Sequence, residues 1–333
     1  MPLLPSPPST RVLMTDHAWP DTRIEHEVLH KAGFELHVMG ASPPSAEKVE
    51  ALVRELWPAA ILTCWAQVNA KAISASPPLR VVARLGIGLD NIAVDHATAQ
   101  GIMVTNVPSY CVEEVSDHAV GMALAWTRGI VALDRQVRDG VWAPSQAQLR
   151  RLAQLTCGIV GYGRIGRRTA AKLQHGFGCR VLTFSRSSPT TNDGVEHVSL
   201  DALLTNSDIL ILHAPLTPDT QHMINRARMA QMRKGALLIN VSRGGLVDND
   251  ALIDALANGT LGGAALDVLE TEPAVPEPLR TDPRVILTPH VAFSSDASVA
   301  ELRRSACEEV VRVLRGQPPL HPCNIPLNKN PAA

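Results

Sequence analysis

The hydrophobic positions of this chain fall in short runs separated by polar and amphipathic stretches. Six runs stand out in its second half, at 157–161, 180–184, 208–213, 236–241, 263–267 and 285–288. Short apolar runs bounded by turn residues read as buried strands of a parallel sheet. Each run stops beside a residue that can bind or react: Gly163, Arg186, Ala214-Pro215, Arg243, Glu272 and His290. In an open parallel sheet, ligands sit beyond the carboxyl ends of the strands. The repetition therefore predicts that these residues line one site.

The first third alternates in the same way. Strands are predicted at 11–15, 35–39, 60–63, 79–83 and 102–105, with a helix at 46–56 and another at 21–32 that turns Ile24, Val28, Leu29 and Ala32 inward. That is a small doubly wound sheet in its own right. From 113 to 128 the period turns helical, with Val115, Ala119, Met122 and Trp126 on one stripe. Glu113 and Glu114 suit the positive end of its dipole. This helix reads as the bridge into a second domain, and a last helix at 297–314, closed by Pro318-Pro319, as the return to the first. The expected fold is α/β with two doubly wound domains, one over 1–106 plus 296–333 and the other, over 107–295, inserted in it.

A chain of 333 residues accommodates two cores of ordinary size. With 31 basic and 32 acidic residues it has no basic surface for a polyanion, which argues against a nucleic-acid partner. The cysteines at 64, 111, 157, 179, 307 and 323 form neither a CxxC nor a dense framework, which fits a reducing cytoplasm better than secretion. Residues 1–9 are broken by prolines and lack a positive n-region, so no signal peptide is expected. The longest apolar stretch, 119–133, is interrupted at Thr127 and Arg128 and is too short to span a bilayer.

Gly161-Tyr-Gly163-Arg164-Ile165-Gly166 follows a strand and opens a helix predicted over 164–173. In that context the glycines permit a tight turn and close backbone approach to a pyrophosphate resting on the helix N-terminus. The next strand ends in Ser185-Arg186-Ser187, where an NAD site normally has an acid for the ribose 2′-OH; Asp193 and Glu196 lie well down the following loop. Ser185, Arg186 and Ser187 can instead hold a 2′-phosphate, with Arg186 supplying the charge. The expectation is NADP ahead of NAD, for which Arg186 would stack on the adenine.

A 2-oxo acid needs a cation for its carboxylate and carbonyl, a proton donor for the developing alkoxide, and a group that keeps that donor charged. Arg243, His290 and Glu272 are of the right types, at the ends of neighbouring predicted strands.

With Gly86-Ile87-Gly88-Leu-Asp90-Asn91, His213-Ala214-Pro215-Leu-Thr-Pro-Asp-Thr220, Asn240-Val241-Ser242-Arg243-Gly-Gly-Leu-Val-Asp248, Leu266-Asp267-Val268 and Pro289-His290, the chain resembles the D-isomer-specific 2-hydroxyacid dehydrogenases over nearly its whole length. This is the family of phosphoglycerate and glyoxylate/hydroxypyruvate reductases. The resemblance implies a Rossmann nucleotide-binding domain inserted in a flavodoxin-like substrate domain. It implies Arg243, Glu272 and His290 as the catalytic set, with His290 as general acid/base. Gly161, Gly163, Arg164, Ile165, Gly166 and Thr220 would contact phosphate and ribose, and Asp267 the nicotinamide carboxamide. His213, Ala214, Pro215, Val241, Ser242 and Ala292 are implied as further cofactor contacts. Backbone N–H groups at Leu85, Gly86, Ile87 and Gly88 would hold the substrate carboxylate. Family members are typically homodimers paired through the nucleotide domain, with the 113–128 helix in that surface. The implied reaction interconverts a small 2-oxo acid and its D-2-hydroxy acid by hydride transfer.

The chain departs from the phosphoglycerate branch after strand 60–62, where that branch usually has an arginine and this chain has Thr63, Cys64 and Trp65. Arg84 is kept and can meet an anionic group, while Trp65 and Tyr110 suggest a bulkier or partly apolar substrate side chain. That leaves 3-phosphoglycerate as an alternative. The segment 107–118 resembles the C-terminal-binding-protein group, NAD(H)-responsive corepressors that bind peptides, which gives a non-enzymatic alternative. His26-Glu27-Val28-Leu29-His30 is a literal HExxH, but it lies on the first helix of a doubly wound domain with no evident third ligand, and no metal is expected.

Overall fold

The computed structural model describes residues 9–186 and 194–327; Ser187, and Asp193 beyond it, lie outside the described residues. Packing divides the chain into two compact units, Met1–Tyr110 with Ser295–Ala333, and Cys111–Ser294.

The first unit opens with β1 (Arg11–Met14), α1 (Arg23–Lys31), β2 (Glu35–Val38), α2 (Ala46–Leu56), β3 (Ala60–Thr63), α3 (Ala70–Ser74), β4 (Val81–Arg84), α4 (Val94–Ala99) and β5 (Met103–Thr105). Its five strands are parallel and ordered β2-β1-β3-β4-β5, the flavodoxin-like order. The order turns back between β1 and β3, so the residues leaving those two strands emerge side by side. Sequence pattern missed α3 and α4, which are too short to show a full apolar period.

The second unit runs α5 (Val112–Thr127), α6 (Ile130–Arg138), β6 (Thr156–Val160), α7 (Arg164–Ala171), β7 (Arg180–Phe184), β8 (Glu196–His197), α8 (Leu200–Asn206), β9 (Ile209–Leu212), α9 (Arg226–Gln231), β10 (Ala236–Asn240), α10 (Asn249–Ala257), β11 (Leu261–Leu266), α11 (Glu277–Thr281) and β12 (Val285–Leu287). Seven parallel strands form one sheet, β12-β11-β10-β9-β6-β7-β8, a Rossmann-type order that reverses at β6. Every residue of β9 and β10 is buried, as expected of strands covered on both faces. The helix predicted over 164–173 ends as α-helix at Ala171 and continues as one π turn, Lys172–Gly176. Because the strands run the same way, everything that follows β6, β7, β9, β10, β11 and β12 emerges along one edge.

The chain then returns to the first unit as α12 (Asp296–Leu314), started by a capping box between Ser295 and Ser298. α12 packs on α1 and changes the inward stripe expected there. Glu25 and Leu29 are fully buried, whereas Ile24, Val28 and Ala32 are only half-buried. Arg303 of α12, itself buried, donates from Nε and Nη2 to the two Glu25 oxygens at 2.9 and 2.7 Å. A two-pronged guanidinium lets a carboxylate occupy a place that an apolar side chain would otherwise take. His26, Glu27 and His30 face outward. None of the six cysteines, all among the described residues, is in a disulfide. Among the described residues no helix is long and apolar enough to cross a membrane, and no cluster of three or more His, Cys, Asp or Glu could hold a metal.

Candidate active site

In the second unit the chain leaves β6 at Val160 and turns through Gly161 and Gly163 into α7. A Cβ on Gly161 would lie 2.7 Å from backbone atoms of His213 and Ala214, and one on Gly166 would lie 2.0 Å from the Gly161 carbonyl oxygen. The protein's own packing requires both glycines. Gly163 differs: its backbone is extended, and a Cβ there would meet nothing within 4 Å. The missing side chain leaves bare backbone at the start of α7, whose first turn has no side-chain cap. First-turn N–H groups carry partial positive charge and attract anions. A dinucleotide pyrophosphate fits this cradle, with Arg164 and Ile165 opening the helix beside it.

The other strand exits are tied to one another. Past β7, Ser185 is half-buried and Arg186 exposed, with its Nη1 3.9 Å from Asp219 Oδ2. Past β9, His213 turns its ring inward, with Nε2 2.9 Å from Thr169 Oγ1. Burial pulls its pKa down to about 3, so the ring is neutral and the strand end presents backbone rather than charge. Thr220 closes the loop after Pro215: its hydroxyl donates to the Pro215 carbonyl and accepts from Thr217 N–H, both at 2.7 Å. Ser242 Oγ donates to the Ala214 carbonyl at 2.5 Å, linking the exit of β10, where Val241 is buried, to that of β9.

Asn240, almost wholly buried, fixes the turn that presents Arg243. Its Nδ2 donates to the Arg243 carbonyl at 2.9 Å and its Oδ1 accepts from Ser242 N–H at 3.1 Å. Gly244 follows, so close to the next loop that a Cβ would fall 1.9 Å from the Leu269 backbone. In that loop Leu269 N–H donates to Glu272 Oε1 at 3.0 Å, and Glu272 Oε2 lies 2.8 Å from His290 Nδ1. Burial pushes the Glu272 carboxyl up, but the hydrogen bond and charge of His290, the Leu269 N–H and the charge of Arg243 together outweigh it. The carboxyl therefore titrates below its ordinary range. Both side chains keep access to solvent, 37% of Glu272 and 26% of His290.

His290 itself has φ +53°, a left-handed conformation that costs a non-glycine residue about 1 kcal/mol or more. Asp267, buried at the end of β11, holds it there. The Asp267 carbonyl accepts from His290 N–H at 2.8 Å, Oδ1 from Val291 N–H at 2.9 Å and Thr288 Oγ1 at 2.5 Å, and Oδ2 from Ala292 N–H at 2.9 Å. Behind Thr288 stands His118 of α5, with Nε2 3.0 Å from Thr288 Oγ1.

In the first unit the turn after β4 has its carbonyls engaged. Gly86 accepts from Val107 N–H at 3.1 Å, Ile87 from Asn106 Nδ2 at 2.7 Å, and Gly88 from Arg84 Nε at 3.0 Å. The N–H groups of Gly86, Ile87 and Gly88 have no acceptor among the described residues. Arg84 is buried beneath them, its Nη1 donating to the carbonyls of Leu85 at 2.5 Å and Thr63 at 3.4 Å. Its Nε and Nη1 thus brace the turn. Leu85 is buried, and so is Tyr110, the last residue of this stretch. Trp65 is half-buried, on a loop gripped by Asp16 at the end of β1: the wholly buried carboxylate accepts from the N–H groups of Cys64, Trp65 and Ala66 at 3.0, 2.6 and 3.2 Å.

Sequence reasoning missed Asp16, Asn240, His118 and Thr288. Each left a faint trace: a polar residue at a strand end, or within the apolar stripe of a helix. Their partners are remote in sequence or satisfied through backbone, which pattern alone does not reveal.

Residues 120–292 match the family "D-isomer specific 2-hydroxyacid dehydrogenase, NAD binding domain". The chain is 39% identical over 260 residues to the glyoxylate reductase of Korarchaeum cryptofilum, covering 76% of this chain and 78% of that one. It is 34% identical over 307 residues to the D-3-phosphoglycerate dehydrogenase of Mycobacterium tuberculosis, covering 91% of this chain and only 56% of that relative's length. Among solved structures, the NADPH-dependent glyoxylate/hydroxypyruvate reductase of Sinorhizobium meliloti, in complex with NADP and malonate, superposes with a TM-score of 0.83 at 32% identity, over 94% of this chain and 96% of that one. The D-lactate dehydrogenase of Aquifex aeolicus, complexed with NAD and lactic acid, gives 0.82 at 29% identity, over 92% and 96%. By sequence and fold, the chain belongs to the D-isomer specific 2-hydroxyacid dehydrogenase family and is an oxidoreductase that uses NAD or NADP.

Proposed function

We propose that the protein reduces a small 2-oxo acid to the D-2-hydroxy acid, with NADP preferred to NAD and His290 as the proton donor. The observation that carries this reading is the 2.8 Å His290–Glu272 pair, held at the same sheet edge as the glycine cradle. When bound, the reduced nicotinamide supplies a hydride to the carbonyl carbon. His290 protonates the oxygen. Its Nδ1 proton is directed at Glu272, so the proton delivered is the one on Nε2, and the carboxylate stabilises the imidazolium before transfer. Arg243 polarises the carbonyl as negative charge develops on its oxygen. The substrate carboxylate is assigned to the N–H groups of Gly86, Ile87 and Gly88, and selection of its side chain to Trp65 and Tyr110. Asp267 and Ala292 hold the carboxamide side of the cofactor, with Val241 and Ser242 beside it.

The preference for NADP rests on Ser185 and Arg186, which take the place in sequence after β7 where an NAD site normally has an acid. The relative solved with NADP at 32% identity supports it. The expected kcat/KM is higher with NADPH than with NADH, and Arg186→Ala should erase the difference.

The partner besides the substrate is a second copy of this chain. No residue of α6 is buried, and Ile130, Val137 and, beyond the helix, Trp142 stand exposed, Trp142 at 82%. A helix with apolar residues and no covering partner fits a homodimer surface continuing from α5. The near-zero net charge speaks against nucleic acid, and cysteines that form no disulfide fit a cytoplasmic protein.

The test is turnover of a panel of 2-oxo acids, glyoxylate and hydroxypyruvate among them, with both cofactors and chiral analysis of the product wherever it has a stereocentre. D-products support the reading. An L-product, or turnover of 3-phosphoglycerate alone, contradicts it. Thr63 already weighs against the phosphorylated substrate: it stands where the phosphoglycerate branch usually has an arginine, and its buried hydroxyl donates to the Ala66 carbonyl at 2.9 Å.

A further inference from the structure

We propose that His118 is a positioning residue for the proton donor, acting through Thr288 and Asp267 to fix the backbone turn that carries His290. The inference deepens the reading of His290 as proton donor and rests on it.

The turn 288–292 has an unusual demand placed on it. It must hold His290 in a left-handed conformation while aiming its ring at Glu272. Asp267 meets that demand with its carbonyl and both carboxylate oxygens, receiving His290 N–H, Val291 N–H, Ala292 N–H and the Thr288 hydroxyl. An ionised carboxylate can only accept, so the Thr288 hydroxyl proton points at Asp267 Oδ1. A lone pair on the same oxygen therefore faces His118 Nε2, 3.0 Å away. It follows that His118 carries a proton on Nε2 and donates it. The result is a directed chain, from His118 to Thr288 to Asp267, ending on the oxygens that also receive Val291 and Ala292. His118 Nε2 lies 3.7 Å from Asp267 Oδ1 as well, so it adds to the donors gathered on this buried acid.

The base of the chain is firm. His118 sits on α5 between the buried residues Val115 and Ala119, and α5 packs on β10 and β11, the latter being the strand that ends at Asp267. A hydroxyl held from both sides cannot rotate. Without the His118 donor, Thr288 is free to turn from Asp267, and the left-handed residue loses part of what holds it in place.

The experiment compares His118→Leu, His118→Gln, Thr288→Val and the Leu–Val double variant in full-length enzyme. It reads kcat for glyoxylate at saturating cofactor, cofactor affinity by fluorescence titration, and thermal unfolding, with His290→Asn as reference. Loss of one directed hydrogen bond predicts about a tenfold fall in kcat for His118→Leu and for Thr288→Val. His118→Gln, whose amide N–H can serve the same hydroxyl, should recover most of the loss. The double variant should fall no further than the worse single variant, because both break one chain. A structural role alone would lower the unfolding temperature and leave kcat in place. If His118→Leu does not fold, His118→Gln and Thr288→Val carry the test. The proposal is overturned if kcat in His118→Leu stays within about twofold of the parent, if Gln does no better than Leu, or if the two single losses multiply. A silent His118→Leu beside an inactive His290→Asn removes this inference alone. An active His290→Asn removes the reading beneath it as well.

Discussion

Glu272 is gripped at one carboxylate oxygen and paired at the other: Oε1 accepts from Leu269 N–H at 3.0 Å, while Oε2 lies 2.8 Å from His290 Nδ1. A carboxylate fixed in this way presents its second oxygen in one direction, and that direction sets the plane of the imidazole. The loop supplies the first contact from its own backbone, so Glu272 Oε1 is held without a further side chain.

Replacing that carboxylate should therefore damage chemistry more than binding. Glu272→Gln is expected to lower kcat/KM for reduction by about 10²-fold, with cofactor affinity unchanged in a fluorescence titration. The pH profile carries a second signature. The Glu272 carboxyl is held below its ordinary value of 4.5, so its contribution to stability and orientation is present above that pH and lost as pH falls through the lowered value. The acid limb of kcat/KM should lie below pH 4.5. An acid limb above 4.5 that disappears in Glu272→Gln would contradict this assignment of the pair.

The glycine loop separates packing from binding. Gly166→Ala would place a Cβ 2.0 Å from the Gly161 carbonyl oxygen and should destabilise the second unit by about 2 kcal/mol or more, read as a lowered denaturant midpoint. Gly163→Ala meets open space and should fold as the parent does, while the KM for cofactor rises about tenfold through crowding of the pyrophosphate. Equal cofactor affinity in Gly163→Ala would show that the phosphates rest elsewhere.

His213 gives an independent check on burial. Its pKa of about 3 in the fold, against 6.5 when free, means that the unfolded chain takes up a proton below pH 6.5 that the native ring refuses. Stability linked to this ring is complete above 6.5 and falls as the pH drops toward 3. Between pH 6.5 and pH 5 the parent should lose about 2 kcal/mol from this source, a loss that His213→Gln should lack. Identical pH dependence in the two proteins would show that the ring is not buried in solution.

Much of this was legible in the chain. Continuous apolar strands such as 209–212 and the glycines at their exits announce a parallel sheet with a dinucleotide site, because burial on both faces leaves no polar position to confuse the pattern. The burial of Glu25 was not legible, since its partner Arg303 stands far away in sequence on α12. Nor was the role of Arg84: a buried arginine bracing a turn and one reaching for an anion look alike until its carbonyl partners are known. His118 escaped for the opposite reason, being one polar residue within an apolar stripe whose period already explained the helix.

The exposed apolar arm predicts association. Trp142→Glu places a charge on the face proposed to pair with a second copy and should shift the protein from dimer to monomer in sedimentation at micromolar concentration. A parent that is already monomeric there would remove the dimer proposal and leave the catalytic one untouched.

His290 is the group assigned to deliver the proton. The most direct measurement is kcat for a turned-over 2-oxo acid in His290→Asn, beside cofactor affinity in the same preparation. In this variant kcat should fall about 10²- to 10⁴-fold with cofactor binding preserved. Turnover close to that of the parent enzyme would contradict that assignment.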